Sequence, residues 1–286
     1  MNIIITGQRG LIGTFLEKRL IEEGHKIVAG IDLRDGKNIL GIKDLTLKDL
    51  QVNISVDMMI HCAAHCKINQ TIENPELSHF NDAQGTFEVL EFCRKNKIKK
   101  IVNFSSSRVL SKEKNPYTSA KLYGEELCKG YYDCYGLEYI TLRPSTVYGP
   151  FWDLTQRLIH IYITNALQNK NLEIYGDPKT KTLNFTYIDD FVDGSLLAIK
   201  GKWQEDYDLG GDEEYNIHKL AQFIIKQTKS KSKIIVKESE IAQPQKVKLN
   251  ISKIKNLGYS PKITVEKGIK LCIDFYKEYM KQNNIT

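Results

Sequence analysis

Asn2-Ile3-Ile4-Ile5-Thr6-Gly7-Gln8-Arg9-Gly10-Leu11-Ile12-Gly13 decides the fold. An isoleucine-rich run ends at a glycine and reads as a short buried strand. Apolar residues at helical spacing follow over 11–23. The glycines between them are spaced GxxGxxG. In a strand–turn–helix unit the first glycine permits a tight turn, the second lets a pyrophosphate approach the backbone, and the third lets helix pack on strand. The helix N-terminus adds free N–H groups and a partial positive charge. A glycine-rich turn alone is weak evidence, but a strand before it and a helix after it point to dinucleotide binding. Gly7, Arg9, Gly10, Leu11, Ile12 and Gly13 form the candidate phosphate cradle.

Working outward, apolar runs over 25–31, 57–61, 101–105 and 138–142 read as strands, with helical patterns over 78–95 and 117–135. Strands alternating with helices predict a parallel sheet covered on both faces. The segment 36–54 leaves room for at most one brief strand. Asp32 ends the second strand, followed by Leu33 and Arg34. A carboxylate there can accept both ribose hydroxyls of an adenosine and repels a 2′-phosphate, which favours NAD. Arg9 and Arg34 stand close enough to tolerate NADP, and Asp44 is a further cofactor candidate. Past Pro150, helices are predicted over 154–169, 189–199, 217–227 and 265–279, with short strands over 172–175, 185–188 and 234–236. The expected class is α/β: a Rossmann-type doubly wound parallel sheet over 1–150 binds NAD, and a smaller, interleaved substrate domain over 151–286 returns segments to it.

Composition narrows the function. The chain has 286 residues and a net charge of +6, from 41 basic and 35 acidic residues. That length suits one or two domains with a large core. No apolar run is long enough to span a bilayer, and the N-terminus lacks the pattern of a secretory signal. The six cysteines are too sparse for a disulfide scaffold, so reduced thiols in a cytoplasmic protein are expected. His61-Cys62-Ala63-Ala64-His65-Cys66 crowds metal donors together, but no second ligand pair answers it, and no metal is expected. Basic residues are scattered without an aromatic platform, which disfavours nucleic acid.

Tyr117-Thr118-Ser119-Ala120-Lys121 opens the helix that follows Ser105-Ser106-Ser107. Residues four apart share a helix face. A free tyrosine, with a pKa of about 10, is a poor base near neutrality. A nearby ammonium and a positive nicotinamide ring favour its phenolate, which can then exchange a proton with a sugar hydroxyl.

These motifs together resemble the extended short-chain dehydrogenase/reductase family, of the NAD-dependent epimerase/dehydratase type that acts on nucleotide sugars. The resemblance also takes in 60–64, expected on the fourth strand, Asn81-Asp82-Ala83-Gln84-Gly85-Thr86, 142–150, and Tyr187-Ile188-Asp189-Asp190. It implies that Ser106 is the catalytic hydroxyl, Tyr117 the acid/base and Lys121 the group that holds the nicotinamide ribose. Cys62, Ala63, Ala64, Asn81, Ser105 and Pro144 line the cofactor in the same view. It also implies a homodimer formed through helices over 88–95 and 122–132.

Departures from the family pattern shape the expected activity. Sugar 4,6-dehydratases carry an acidic pair after the catalytic hydroxyl, where this chain has Ser107 and Arg108. That argues against elimination and weakens a decarboxylase reading. The stretch from Ser106 to Tyr117 is short. Two family arginines that grip a diphosphate are replaced by Leu183 and Gln243, so Lys181 and Lys248, with Lys246 near, are expected to supply charge. Thr146 stands where many epimerases have a sugar-contacting asparagine. The leading expectation is a nucleotide-sugar epimerase that moves hydride to bound NAD and back through a 4-keto sugar. A 4-keto-sugar reductase using external NAD(P)H, suggested by the Gln8-Arg9 loop, is the alternative. A non-catalytic NAD(H) sensor ranks below both, because Ser106, Tyr117 and Lys121 are all present.

Overall fold

The computed structural model describes residues 1–242 and 246–285. Its strands are β1 (Asn2–Thr6), β2 (Lys26–Ile31), β3 (Met58–His61), β4 (Lys100–Phe104), β5 (Glu138–Pro144), β6 (Thr146–Tyr148), β7 (Leu172–Tyr175), β8 (Thr182–Tyr187), β9 (Glu205–Leu209), β10 (Glu214–Asn216) and β11 (Ile234–Lys237). The main sheet is parallel, in the order β2-β1-β3-β4-β5-β9. Smaller sheets join β10-β8-β6 and β11-β7. The strand order reverses at β1, so the loops after β1 and β3 diverge and open a crevice at the carboxyl end of the sheet.

Side chains alternate across each strand. Ile3, Ile5, Met58 and Ile60 pack on one face with Leu16, Leu20 and Phe191. Ile4, Met59 and Ile101 pack on the other with Val89, Phe92 and Cys128. Both faces are therefore covered, as the unbroken apolar strands predict.

The segment 36–54 holds no strand, within the expected limit of at most one, and a short turn stands at Ile42–Asp44. Three local expectations are revised. The segment 60–64 leaves the third strand rather than the fourth. The helix expected from 78 begins with a π-helical stretch, His79–Gln84, before Gly85–Lys95. The helix expected from 154 starts at Leu158, because the Asp153 carboxylate accepts hydrogen bonds from the amides of Thr155 and Arg157 and holds the preceding residues in a turn. The sixth strand of the main sheet, β9, was not anticipated. Gln243 and Pro244, where the second family arginine was sought, lie outside the described residues. Among the described residues no helix is long and apolar enough to cross a membrane.

Residue Arg143 welds β9 to the sheet. It lies on β5 opposite Asp208, donates to both oxygens of Glu125 from Nε (2.9 Å) and Nη2 (2.5 Å), and reaches Asp206 at 2.8 Å. Glu125 also accepts from Ser105 Oγ, so the network touches the end of β4. The Glu125 side chain is 2% exposed. Replacing Arg143 with Met strands these carboxylates without a counter-charge. Urea unfolding at pH 7 is expected to show a loss of about 3–5 kcal/mol, partly recovered at acid pH as the carboxylates protonate.

Candidate active site

A cavity of about 860 Å³ opens at the carboxyl ends of the strands. Gly7, Gly10, Leu11, Ile12, Gly13, Asp32, Leu33, Arg34, Cys62, Ala63, Ala64 and Asn81 line one end. Ser105, Ser106, Arg108, Tyr117, Lys121, Pro144, Thr146 and Lys181 line the rest. Four expected residues are not part of this wall. Arg9 turns its guanidinium to Asp35 at 2.8 Å, leaving only its amide to donate to Asp32. Asp44 is exposed and pairs with Lys43 and Lys95. Ser107 is buried in the turn beneath the cavity, and Lys248 points to solvent.

The cofactor end is built by backbone approach. Gly7 has φ +68°, and a Cβ on it would meet the nitrogen of Ala63 at 2.6 Å. A Cβ on Gly13 would lie 2.3 Å from the Gly7 carbonyl oxygen. The helix Leu11–Glu22 has no side-chain cap and no acid in its first turn, which leaves its positive end for an anion. Asp32 holds its carboxylate at the tip of β2 by accepting from the amides of Arg9 (2.9 Å) and Arg34 (3.0 Å). The bare cradle and the carboxylate at the end of β2 together fit NAD.

Residue His61, which opens the metal-like cluster, is locked between Thr6 Oγ1 (2.8 Å) and Thr86 Oγ1 (3.2 Å). Among the described residues no group of three or more histidine, cysteine or acidic side chains is arranged to hold a metal ion.

The catalytic end is set by a helix cap. Asn115 accepts from the Thr118 amide, Thr118 Oγ1 accepts from the Asn115 amide, and Pro116 takes the first helical position. Tyr117 therefore enters the cavity one residue into the helix Pro116–Tyr135. Lys121 donates to the Phe104 carbonyl at 3.0 Å, faces Asp82 at 4.0 Å, and has its ammonium 5.9 Å from the Tyr117 ring centroid. Burial pushes the Tyr117 hydroxyl above its ordinary value, and Asp82 adds to this; Ser106 and Arg108 offset it in part. Burial likewise raises Asp82, against the pull of Lys121. Ser106 Oγ accepts from the Arg108 amide (3.2 Å) and starts the turn Ser107–Leu110. Lys114 closes the short loop by donating to the carbonyls of Val109 (2.8 Å) and Ser111 (2.6 Å).

The substrate end holds residues that motif reading missed. Arg157 pairs with Asp153 at 2.7 Å, and Lys181 faces Glu240 at 3.7 Å; all four line the cavity, as do Cys66 and the apolar Leu183. Asp82 had a signal, since it adjoins Asn81 in a quoted motif. Arg157 and Glu240 belong to no motif.

A nucleotide cradle facing a Ser–Tyr–Lys set across one crevice defines a short-chain dehydrogenase/reductase type of site. The chain belongs to the NAD dependent epimerase/dehydratase family, whose model matches residues 3–217. A Methanocaldococcus jannaschii protein provisionally named UDP-glucose 4-epimerase is 31% identical, covering 99% of this chain and all of that one. The UDP-glucuronate 4-epimerase of Thermodesulfobacterium geofontis is 26% identical over 96% of each chain. The crystal structure of UDP-glucuronic acid 4-epimerase from Bacillus cereus, in complex with UDP-glucuronic acid and NAD, superposes with a TM-score of 0.86 at 26% identity, covering 98% of this chain and 100% of that one.

The site carries a pH signature. His61 is held down to about 3, chiefly by burial and secondarily by Lys121. An unfolded histidine takes up a proton near pH 6.5. The folded protein does not, so stability present above that pH is lost as pH falls from about 6.5 towards 3. His61→Gln is expected to flatten urea-unfolding stability against pH over 4.5–6 by nearly one proton, about 1.4 kcal/mol per pH unit. An unchanged slope would contradict the buried neutral imidazole.

Proposed function

We propose that this chain is a nucleotide-sugar 4-epimerase that works with bound NAD through a 4-keto sugar. One observation carries the reading: Ser106, Tyr117 and Lys121 line one cavity, while the two positions after Ser106, where elimination chemistry needs an acidic pair, hold Ser107 and Arg108. When bound, NAD supplies reversible two-electron oxidation of the sugar carbon. Tyr117 takes the proton of the sugar hydroxyl at its phenolic oxygen and later returns it. Ser106 holds the same sugar oxygen by a hydrogen bond. Lys121, with its ammonium 5.9 Å from the Tyr117 ring centroid, and Arg108 supply the positive charge that burial makes necessary for the phenolate. With no carboxylate next to Ser106, no base stands ready to draw a second proton from the ring, so the keto sugar is returned rather than dehydrated.

Among the cofactor candidates, Asp32 favours NAD over NADP. Residues from 151 onward mainly hold the nucleotide sugar, and relatives named for UDP-sugars support uridine as the base. Lys181 lies by the diphosphate in this reading, with Leu183 beside it. The six unpaired thiols support a cytoplasmic setting, where nucleotide sugars are made for polysaccharide synthesis.

Tyr117→Phe is expected to lower 4-epimerisation of a UDP-sugar by about 10²–10⁴-fold while the purified protein keeps its NAD. The assay is NMR of the sugar C4 signals, with NADH absorbance followed alongside. Stoichiometric NAD(P)H consumption would instead mark a reductase.

A homodimer is part of the proposal. Phe80 and Tyr123 stand exposed on the packed segments His79–Gln84 and Pro116–Tyr135 and offer apolar surface to a second copy. Sedimentation is expected to show a dimer that Tyr123→Asp converts to a monomer. A wild-type monomer would remove the dimer from the reading.

A further inference from the structure

We infer that Arg108 is a specificity residue that reads a carboxylate on the sugar, so that the substrate is a nucleotide-diphosphate hexuronate rather than a neutral hexose. This rests on the epimerase reading and deepens it. The Arg108 backbone is fixed beside the reacting groups, since its amide donates to Ser106 Oγ at 3.2 Å, and its side chain lines the same cavity as Tyr117. Its Nη1 is buried and has no hydrogen-bond partner among the described residues.

Its neighbours are better served. Lys121 faces Asp82, Arg157 pairs with Asp153, and Lys181 faces Glu240. Glu240 is the carboxylate whose charge reaches Arg108, but it is already engaged, accepting from Asn69 at 2.5 Å on one oxygen and facing Lys181 with the other. A guanidinium taken out of water without a counter-charge is costly, and a ligand that delivers an anion relieves it. The planar fork of a guanidinium matches the two oxygens of a carboxylate. Arg108 follows Ser106 by two residues, its amide bonds the Ser106 hydroxyl, and Tyr117 is the first group whose charge favours its guanidinium, ahead of Glu240; the anion is therefore assigned to the sugar ring rather than to the diphosphate.

The test compares UDP-glucuronate with UDP-glucose on wild-type protein, Arg108→Met and Arg108→Lys, reading C4 epimer formation by NMR. NAD content and melting temperature establish that each variant is folded. Wild type is expected to favour UDP-glucuronate in kcat/KM by about 100-fold or more. Arg108→Met is expected to collapse that ratio by about the same factor, and Arg108→Lys to keep part of it. Equal use of the two sugars by wild type, or turnover of UDP-glucose alone, overturns this proposal and leaves the epimerase reading standing. A loss in Arg108→Met by the same factor on both sugars also overturns it and assigns Arg108 to the diphosphate. If Arg108→Met does not fold, the wild-type ratio and Arg108→Lys decide. Turnover of neither sugar by NAD-loaded wild type defeats the epimerase reading, and this proposal with it.

Discussion

Where the chain leaves β1, Gly7 passes so near the loop after β3 that a Cβ on Gly7 would lie 2.6 Å from the Ala63 nitrogen and 2.8 Å from the Cys62 carbonyl carbon. Side chains fasten this approach. Thr6 bonds His61 across the two strands and accepts from the Ala63 amide, and His61 reaches on to Thr86 in the helix behind. The turn from β1 therefore has one shape, and it leaves the start of the next helix bare. Asp32, Ala63 and Asn81 then fall around a common space. The catalytic helix inherits the same frame, because Lys121 bonds the carbonyl at the end of β4 and faces Asp82 on the segment that carries Asn81.

Charge divides the cavity. Its cofactor end combines backbone amides and the Asp32 carboxylate with Arg34 and Lys37 on the lining, while its other end collects Arg108, Arg157 and Lys181 against Asp153 and Glu240. Leu183 makes that end less dependent on a fixed arginine fork than the family pattern implies. Lys181 is itself drawn away from a simple phosphate role, since its ammonium donates to the Tyr175 carbonyl and faces Glu240. Burial lowers its affinity for a proton, opposed by Glu240. Charge at this end is therefore mutual and local, and an arriving anion must compete with it.

Much of this was legible in the sequence because it is local. The strand–glycine–helix unit, Asp32 at a strand end, and a tyrosine and lysine one helical turn apart are short-range patterns. What stayed hidden is set at long range. Glu205-Asp206-Tyr207-Asp208-Leu209 carries too many acids to read as a strand of a buried sheet. It becomes one because Arg143, 63 residues before Asp206, neutralises it. Asp44 was a cofactor candidate, yet it stands exposed and pairs with Lys43 and Lys95. Arg157 was hidden because Asp153 delays the helix start by four residues, and Glu240 because its partners Asn69 and Lys181 are far away in sequence.

A helix cap is ordinarily interchangeable among aspartate, serine, threonine and asparagine, because each needs only an oxygen. Asn115 is different. Its oxygen caps the catalytic helix, while its nitrogen donates to the Ala242 carbonyl at 3.1 Å, two residues past Glu240. An aspartate could serve the first role but has no hydrogen to give to the second. One amide thus holds both the helix that brings Tyr117 to the cavity and the distant segment that brings Glu240 there. The loop between Ser106 and Tyr117 is free to vary in length, but this asparagine is exchanged only by changing both attachments together.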